Sequence, residues 1–314
     1  RNFPNREGSK PSGGQLAGVM LMDARSIAAT ARNHGILTAA TDIDYVMPAP
    51  HAEAFDGAVY QKRCYFGFGK ADPGAELRLG PNITEWPNIP ALPENLLMEL
   101  ACVIHDPVTT TDELIPSGET SSYRSNPLKL ASFALSRRDP QYVGRANAIA
   151  SRETARKHGK LDAAVTALIE ACGGTVKNTG IGSVIFANKP GDGSAREQAA
   201  SCQRVLGGCA NICYEYATKR YRSNCINWGM LPFHLDADTP FDYEPGDRIF
   251  VPHVRAAVET DAKDVPATVV RRDGAKTPIL LHLPELTDDE RQILLDGCLM
   301  NFYAANHAKE NANG

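Results

Sequence analysis

The chain has 314 residues, with 43% hydrophobic and 22% charged residues, as is typical of a globular protein with one large domain or two ordinary ones. Its net charge of -4 provides no basic surface for nucleic acid or an anionic membrane, and no apolar run is long enough to span a bilayer. Eight cysteines in a chain this long indicate reduced thiols in a cytoplasmic protein, and neither they nor the histidines show metal-ligand spacing.

The chain begins with Arg1 instead of Met, so we expect a processed chain or a piece of a longer protein. Arg1 and Arg6 share a loop punctuated by Pro4 and Gly8. Two guanidinium groups in one loop can reach one polyanion, although a solvated loop is the simpler interpretation of the pattern alone. A helix is predicted next, with a capping box of Ser12 and Gln15, an apolar face and an end at Gly35. The predicted apolar face consists of Leu16, Met20, Ala24, Ile27, Ala28 and Ala31.

Prolines punctuate the stretch from Asp42 to Leu97, which shows little periodicity and is predicted to be an extended segment between domains. Two short polar segments follow. The first contains Thr110, Thr111 and Asp112, and the second contains Arg124. Without further information Arg124 is an ordinary surface arginine, and Asp112 either caps a turn or orients another polar side chain.

The central stretch predicts a strand, a glycine turn and a helix in succession. Val184–Ala187 is a short apolar run typical of a strand, and the turn 190–193 contains Gly191 and Gly193. Ser194, with Glu197 three residues later, predicts a capping box that opens a helix ending at Gly207 and Gly208. Free N–H groups and the helix dipole favour an anion there, beside the forked guanidinium of Arg196.

A blander interpretation competes with this anion site. Ser194 can act only as the helix cap and Arg196 only as the partner of a nearby acid. Capping boxes are common, so the pattern by itself favours this second interpretation.

Further elements are predicted along the rest of the chain. They are a helix over 161–172, strands over 209–213, 249–258 and 269–270, and a hairpin turn at 272–275 that leads into 279–281. Thr287 and Glu290 form a capping box that opens a final helix through Tyr303.

Three blocks of the chain resemble motifs of the aconitase family. The segment from Gly191 to Glu197 resembles the family's Gly-x-Gly-Ser-Ser-Arg-Glu, with Ala195 in place of the second serine. Asn224 and the segment Gly229–Pro232 resemble its Asn-x-x-x-x-Gly-Leu-Leu-Pro. The opening loop is similar to the family's Arg-Asn-Phe-x-x-Arg.

The resemblance implies an α/β fold, in which an aconitase C-terminal swivel-type β/β/α domain is preceded by a helical tail of the upstream domain and an extended linker. The expected domains are the tail over 1–45, the linker over 46–97 and the swivel domain over 98–314. The family also has a histidine after the aspartate that matches Asp112, where this chain has Glu113.

The resemblance assigns a role to each candidate residue. Ser194 is expected to be the catalytic base, with Asp112 in support. The substrate-binding residues are expected to be Arg1, Arg6, Arg124, Ala195 and Arg196. The implied reaction is the reversible dehydration of a hydroxy di- or tricarboxylic acid of the citrate or isocitrate type, and Arg124 favours a third carboxylate.

A [4Fe–4S] cluster is expected in the complete protein, and its ligands lie upstream of this chain in the family. The expected partners are therefore a small polycarboxylate and an upstream cluster-bearing domain or subunit, and the isolated chain is expected to be inactive. Two alternatives stay open: a cluster-free small subunit of a two-chain dehydratase, and a non-catalytic binding or regulatory module. The acidic balance weighs against RNA as the ligand of such a module.

Overall fold

The computed structural model describes residues 21–44, 56–63 and 67–313. The chain divides into two units, the first built mainly from Pro11–Arg78 and the second mainly from Leu79–Gly314. The first unit contains the helices α1 (Ala24–Arg32) and α2 (Ala58–Arg63). Asp23 caps α1, since its carboxylate accepts hydrogen bonds from the N–H groups of Arg25 and Ser26.

The helix predicted around α1 is confirmed from Ala24, whereas its predicted capping box at Ser12 and Gln15 lies outside the described residues. Ala29 is the buried residue of α1, while Ile27, on the predicted apolar face, is 55% exposed. Within the described residues, the predicted apolar face of α1 is therefore exposed.

The second unit is organised around a closed β-barrel with the strand order β1-β3-β5-β6-β9-β8-β7. The strands of the barrel are β1 (Asn95–Ile104), β3 (Thr179–Ala187), β5 (Gly208–Cys213), β6 (Leu231–His234), β7 (Arg248–Val251), β8 (Asp264–Val270) and β9 (Lys276–His282). The pairs β1-β3, β3-β5 and β5-β6 are parallel, and the remaining pairs are antiparallel. A separate two-stranded sheet pairs β2 (Thr109–Thr110) with β4 (Pro190–Asp192).

Helices connect the parallel strands, as parallel pairing requires. The helices of this unit are α3 (Thr111–Leu114), α4 (Ser117–Thr120), α5 (Pro127–Ala131), α6 (Tyr142–Lys157), α7 (Ala163–Ala171), α8 (Arg196–Val205), α9 (Lys219–Asn227), α10 (Val254–Glu259), α11 (Asp288–Asp296) and α12 (Leu299–Asn313). The predicted α/β fold of the swivel type is confirmed.

Alternation along the strands divides the buried side chains into two clusters. Side chains on one face of the strands, such as Met98, Phe186 and Val269, belong to the first cluster. Side chains on the opposite face, such as Leu97 and Ile185, belong to the second cluster, which also contains residues of α6, α7 and α8. The strands therefore contribute one row of side chains to the barrel interior and one to the layer beneath the helices.

A partly buried ion-pair network joins β1 to β7 and α6. The carboxylate of Glu99 accepts hydrogen bonds from Arg152 Nη1 at 2.8 and 2.9 Å and from Arg248 Nε at 3.0 Å. Glu99 and Arg248 are also register partners in the β1-β7 pair. One carboxylate thus fixes both the strand pairing and the position of the helix above it.

Several predicted elements are confirmed, among them the strands at 184–187 and 209–213, the helix within 161–172 and the hairpin turn at 272–275. The strand predicted over 249–258 is wrong beyond Val251, because α10 begins at Val254 after His253 adopts a positive φ of 49°. The predicted last helix is interrupted at Gly297, whose φ is 96°, so it forms α11 and α12.

The predicted domain limits stay a prediction. β1 begins at Asn95 and the second unit includes residues from Leu79 onward, so part of the predicted linker clusters with the barrel.

Candidate active site

The turn between β4 and α8 needs glycine at two positions. Gly191 has a φ of 96°, and a Cβ on it would lie 2.3 Å from the ring of Tyr221. Gly193 has a φ of 126°, and its Cβ would lie 2.3 Å from Thr111 Oγ1. Both positions combine the left-handed backbone that glycine tolerates with a neighbour that leaves no room for a side chain. The two glycines therefore allow the backbone before Ser194 to lie directly against Tyr221 and Thr111.

Tyr221, below this turn, belongs to a buried polar network. Its hydroxyl contacts Gln203 Nε2 at 2.8 Å and Asn211 Nδ2 at 3.0 Å, which joins α9 to α8 and β5. Burial raises the pKa of Tyr221 well above its ordinary value, so the hydroxyl stays protonated. Thr218 Oγ1 donates to the Gly191 carbonyl at 3.1 Å. The glycine turn thus rests on a network that links α8, α9 and β5.

The β2-β4 pair brings the segment around Asp112 to the same turn. Thr109 is the register partner of Pro190, and Thr110 that of Asp192. Thr110 and Glu113 form a capping box for α3, with the Thr110 N–H donating to Glu113 Oε2 at 2.7 Å. The carboxylate of Glu113 is therefore engaged in the cap of its own helix. The aconitase family, which this segment resembles, has a histidine at that position.

Ser194 and Arg124 line the same open cavity, which has a volume of about 320 Å³. Ser117, Ala195, Glu197 and Gln198 complete its lining. Helices α3 and α5, on either side of the Arg124 loop in the chain, both pack against α8, which explains how two distant segments meet here. Ser194 and Arg124 are exposed, and the structure shows no ion pair of Arg124 among the described residues.

The predicted capping role of Ser194 is wrong. Helix α8 begins at Arg196, its N-cap residue is Ala195, and no side chain accepts a hydrogen bond from its first turn within the described residues. Alanine has no acceptor group, so N–H groups at the start of this 10-residue helix stay free for another acceptor. The Ser194 hydroxyl is thus free of the helix and lies in the cavity wall.

The structure does not place the other predicted site residues in the lining of this cavity. Arg196 is partly buried and absent from the cavity lining, and its Nε is buried without a hydrogen-bond partner among the described residues. Asp112 is exposed and forms an ion pair with Arg137 at 3.0 Å. Arg1 and Arg6 lie outside the described residues. The structure therefore brings together Ser194, Ala195 and Arg124 from the predicted set.

Sequence reasoning missed Ser117 and Gln198 as lining residues and assigned Glu197 only to a cap. The Glu197 carboxylate instead accepts a hydrogen bond from Trp228 Nε1 at 3.1 Å, and the rings of Trp228 and Trp86 lie 4.6 Å apart. Glu197 also borders a second cavity of about 280 Å³, together with Asn224. The available signal was the position of Glu197 and Gln198 in the first turn of the predicted helix, directly after Ser194.

Cys202, Cys209 and Cys225 of this unit are buried thiols. Burial raises the pKa of Cys202, Cys209 and Cys225 to about 12. Within residues 21–44, 56–63 and 67–313, no three His, Cys, Asp or Glu side chains are grouped so that they can hold a metal ion. None of the helices within these same residues has the length and hydropathy needed to cross a membrane.

Comparison with known proteins gives one family match. Residues 147–238 match the family model described as the aconitase C-terminal domain. No curated protein matches the sequence. Among solved structures, the chain is similar to 3-isopropylmalate dehydratase from Methanocaldococcus jannaschii DSM2661, with 20% sequence identity and a TM-score of 0.45 over 70% of this chain and 99% of that chain.

The matched segment runs from α6 to just beyond β6. It includes the glycine turn, Ser194, the start of α8 and the Asn224 and Gly229–Pro232 block, while Arg124 lies outside it. The resemblance of these motifs to the aconitase family is thereby confirmed. Residues 147–238 belong to the aconitase C-terminal domain family, and the chain carries an aconitase-family C-terminal domain.

Proposed function

We propose that the second unit is the swivel-type domain of an aconitase-like hydro-lyase, and that the Ser194 cavity binds a hydroxy di- or tricarboxylic acid of the citrate or isocitrate type. The observation that carries this proposal is the shared cavity of Ser194 and Arg124, which come from separate segments of the chain. The family is of the hydro-lyase type, and its C-terminal domain model matches the segment that contains Ser194.

Two features of the cavity favour a carboxylate. Arg124 presents a planar guanidinium, which suits a carboxylate by two parallel hydrogen bonds. The uncapped first turn of α8 adds N–H groups and the positive end of the helix dipole. Together they hold an acid in one orientation, which lowers the entropic part of an activation barrier.

Ser194 is the proposed base. Its hydroxyl lies in the wall of the cavity, and the uncapped helix start that follows it favours the ionised form of a nearby group. The proton that it removes would come from the carbon next to a substrate carboxylate. Arg196, Arg1 and Arg6 stay proposed substrate contacts, and Arg196 Nε, which is buried without a hydrogen-bond partner among the described residues, is a donor that an anion could use.

The [4Fe–4S] cluster of the family does not fit the described residues. A cluster requires thiolate ligands, whereas burial holds Cys202, Cys209 and Cys225 in the thiol form and they are not grouped for metal binding. We therefore place the cluster on an upstream domain or partner subunit and expect no hydro-lyase activity from this chain alone.

Binding by the chain itself tests the proposal. Citrate, isocitrate and malate are titrated calorimetrically into the wild-type chain, Arg124→Gln, Ser194→Ala and the control Lys263→Gln. Lys263 pairs with Asp261 on the surface and is absent from the cavity lining, so its variant removes one positive charge elsewhere. Arg124→Gln is expected to weaken citrate binding about tenfold, because a charge-assisted pair contributes about 1.5 kcal/mol.

Activity forms the second part of this test. The wild-type chain, combined with a cluster-bearing domain or subunit of the family, is expected to dehydrate the acid, and Ser194→Ala is expected to bind it without turnover. Equal citrate affinity in Arg124→Gln and Lys263→Gln would contradict the proposed carboxylate site. Full turnover by Ser194→Ala would contradict the proposed role of Ser194 as the base.

A two-chain dehydratase is the second candidate. The second unit contains both clusters of buried side chains, and a self-contained subunit requires a hydrophobic core of its own. Copurification of the chain with a separate iron–sulfur protein would favour this arrangement over a single polypeptide.

A further inference from the structure

A cavity of about 270 Å³ lies between the segment 87–93 and residues of α6, β3 and α8. It shares no lining residue with the Ser194 cavity. Much of its wall is apolar, with Leu92, Leu96, Ile181 and Leu294 among the lining residues. The volume suits a small molecule with a short hydrocarbon body.

Arg204 is a cation in this wall without a carboxylate partner among the described residues. Its Nη1 donates to the Gly208 carbonyl at 3.0 Å, and its Nη2 donates to the carbonyls of Pro90 and Gly297 at 3.3 Å each. Burial lowers the pKa of Arg204, because the charged form loses hydration. Carbonyl dipoles compensate only part of that loss, so an anion in the cavity would stabilise the guanidinium.

The other charged lining residues add a further positive charge. Glu153 accepts hydrogen bonds from Arg156 Nε at 2.7 Å and Nη2 at 2.8 Å, and from the Ile181 N–H at 2.9 Å. Lys157 Nζ lies 3.6 Å from the same carboxylate and its side chain is half exposed. The single negative charge of Glu153 balances only one of its two neighbouring cations, Arg156 and Lys157. One positive charge is therefore left over and adds to that of Arg204.

We propose that this cavity binds a small amphipathic monocarboxylate, with its carboxylate toward Arg204 and Lys157 and its hydrocarbon against Leu92, Ile181 and Leu294. Apolar walls favour a hydrocarbon body by burial of its surface, and the excess positive charge selects an anion over an alcohol or an amine. A bound molecule would contact both the segment 87–93 and the barrel-covering helices, so it would stabilise the attachment of that segment. The proposal is independent of the hydro-lyase assignment.

Hexanoate, hexan-1-ol and hexylammonium serve as probes of equal chain length on the full chain at constant ionic strength. Thermal unfolding and calorimetric titration are measured for each probe. Hexanoate is expected to raise Tm with concentration, as a ligand of the folded state does, and to bind at least about fivefold more tightly than hexan-1-ol. Hexylammonium is expected to leave Tm unchanged.

Variants assign the binding to this cavity. Lys157→Gln is expected to weaken hexanoate binding about threefold, and Ala150→Leu, which fills the cavity, to abolish it. Lys189→Gln removes a lysine that pairs with Glu215 outside the lining and is the charge-matched control. Arg124→Gln tests the Ser194 cavity and is expected to bind hexanoate like the wild type.

Three results would overturn the proposal. Equal effects of hexanoate and hexan-1-ol would show that charge has no part in binding. Undiminished hexanoate binding by both Ala150→Leu and Lys157→Gln, or its loss in Arg124→Gln, would place the binding elsewhere. Should Ala150→Leu fail to fold, the comparison of Lys157→Gln with Lys189→Gln decides the question by itself.

Discussion

The backbones of Gly229 and Gly297 lie in direct contact, so that a Cβ on Gly229 would fall 1.7 Å from the carbonyl oxygen of Gly297. Gly297 in turn lies against Pro90, since a Cβ on it would fall 2.2 Å from that residue's carbonyl oxygen. The glycine in the block Gly229–Pro232 thus holds the end of α9 against the junction of α11 and α12. This contact explains the requirement for glycine without any role in catalysis.

Gly229→Ala is expected to destabilise the second unit by about 3 kcal/mol, because a backbone clash adds to the strain of a φ of 68°. Gly274→Ala is the matched control: its φ is 88° and an added Cβ has no neighbour within 4 Å, so only the strain of about 1 kcal/mol remains. Urea unfolding measures both variants. Equal destabilisation would contradict the close backbone contact.

The corrected start of α8 predicts opposite effects for two neighbouring substitutions. Ala195→Ser introduces an N-cap acceptor and is expected to stabilise the protein by about 1 kcal/mol. Ser194→Ala removes no cap and is expected to change the free energy of unfolding by less than about 0.5 kcal/mol. Denaturant titration measures both. A loss of about 1 kcal/mol in Ser194→Ala would restore the capping role that the structure contradicts.

Glu99→Gln is expected to cost about 2 kcal/mol or more, because Arg152 and Arg248 would lose their common carboxylate partner in a site where the Glu99 side chain is only 12% exposed. Glu215→Gln breaks the exposed pair with Lys189 and is expected to cost less than about 1 kcal/mol. Chemical unfolding compares the two. Similar small effects would mean that the network does not fix the β1-β7 pairing.

His234 predicts a pH dependence of stability. Burial is the largest cause that lowers its pKa from the ordinary value of 6.5, so the unfolded chain binds the proton more tightly than the folded one. The stability that the neutral His234 contributes is therefore fully present above pH 6.5 and is lost as the pH decreases below that value. The wild type is expected to lose more Tm between pH 7.5 and 5.5 than His234→Gln loses. Identical losses would exclude His234 as the source.

Local signals predicted those parts of the fold that depend on local chemistry. The hairpin turn at Gly274 and the capping box of Thr287 and Glu290 involve neighbours in the chain, and both are present. Closure of the barrel depends on the pairing of β7 with β1, which residues far apart in the chain decide. The periodicity of one strand contains no information about that partner.

The candidate site shows the same division. The glycine turn was predicted from residue types, whereas the cap at Ser194 was wrong because the backbone stays non-helical through Ala195. The pairing of Arg124 with the Ser194 cavity came from the family resemblance, since no local pattern distinguishes this arginine. The contact of Glu197 with Trp228 depends on the packing of α8 against α9, which the sequence pattern does not specify.

The closed strand order has a consequence for assembly. Each barrel strand has a neighbour on both sides, and the shortest seam joins β6 to β9, which are register partners only at His234 and His282. Along the continuously paired strands, a foreign strand therefore finds few free backbone groups to which it could hydrogen-bond. Any protein that docks on the barrel must recognise side chains, loops and helix ends, and these are the elements that a family can vary while it keeps the same scaffold.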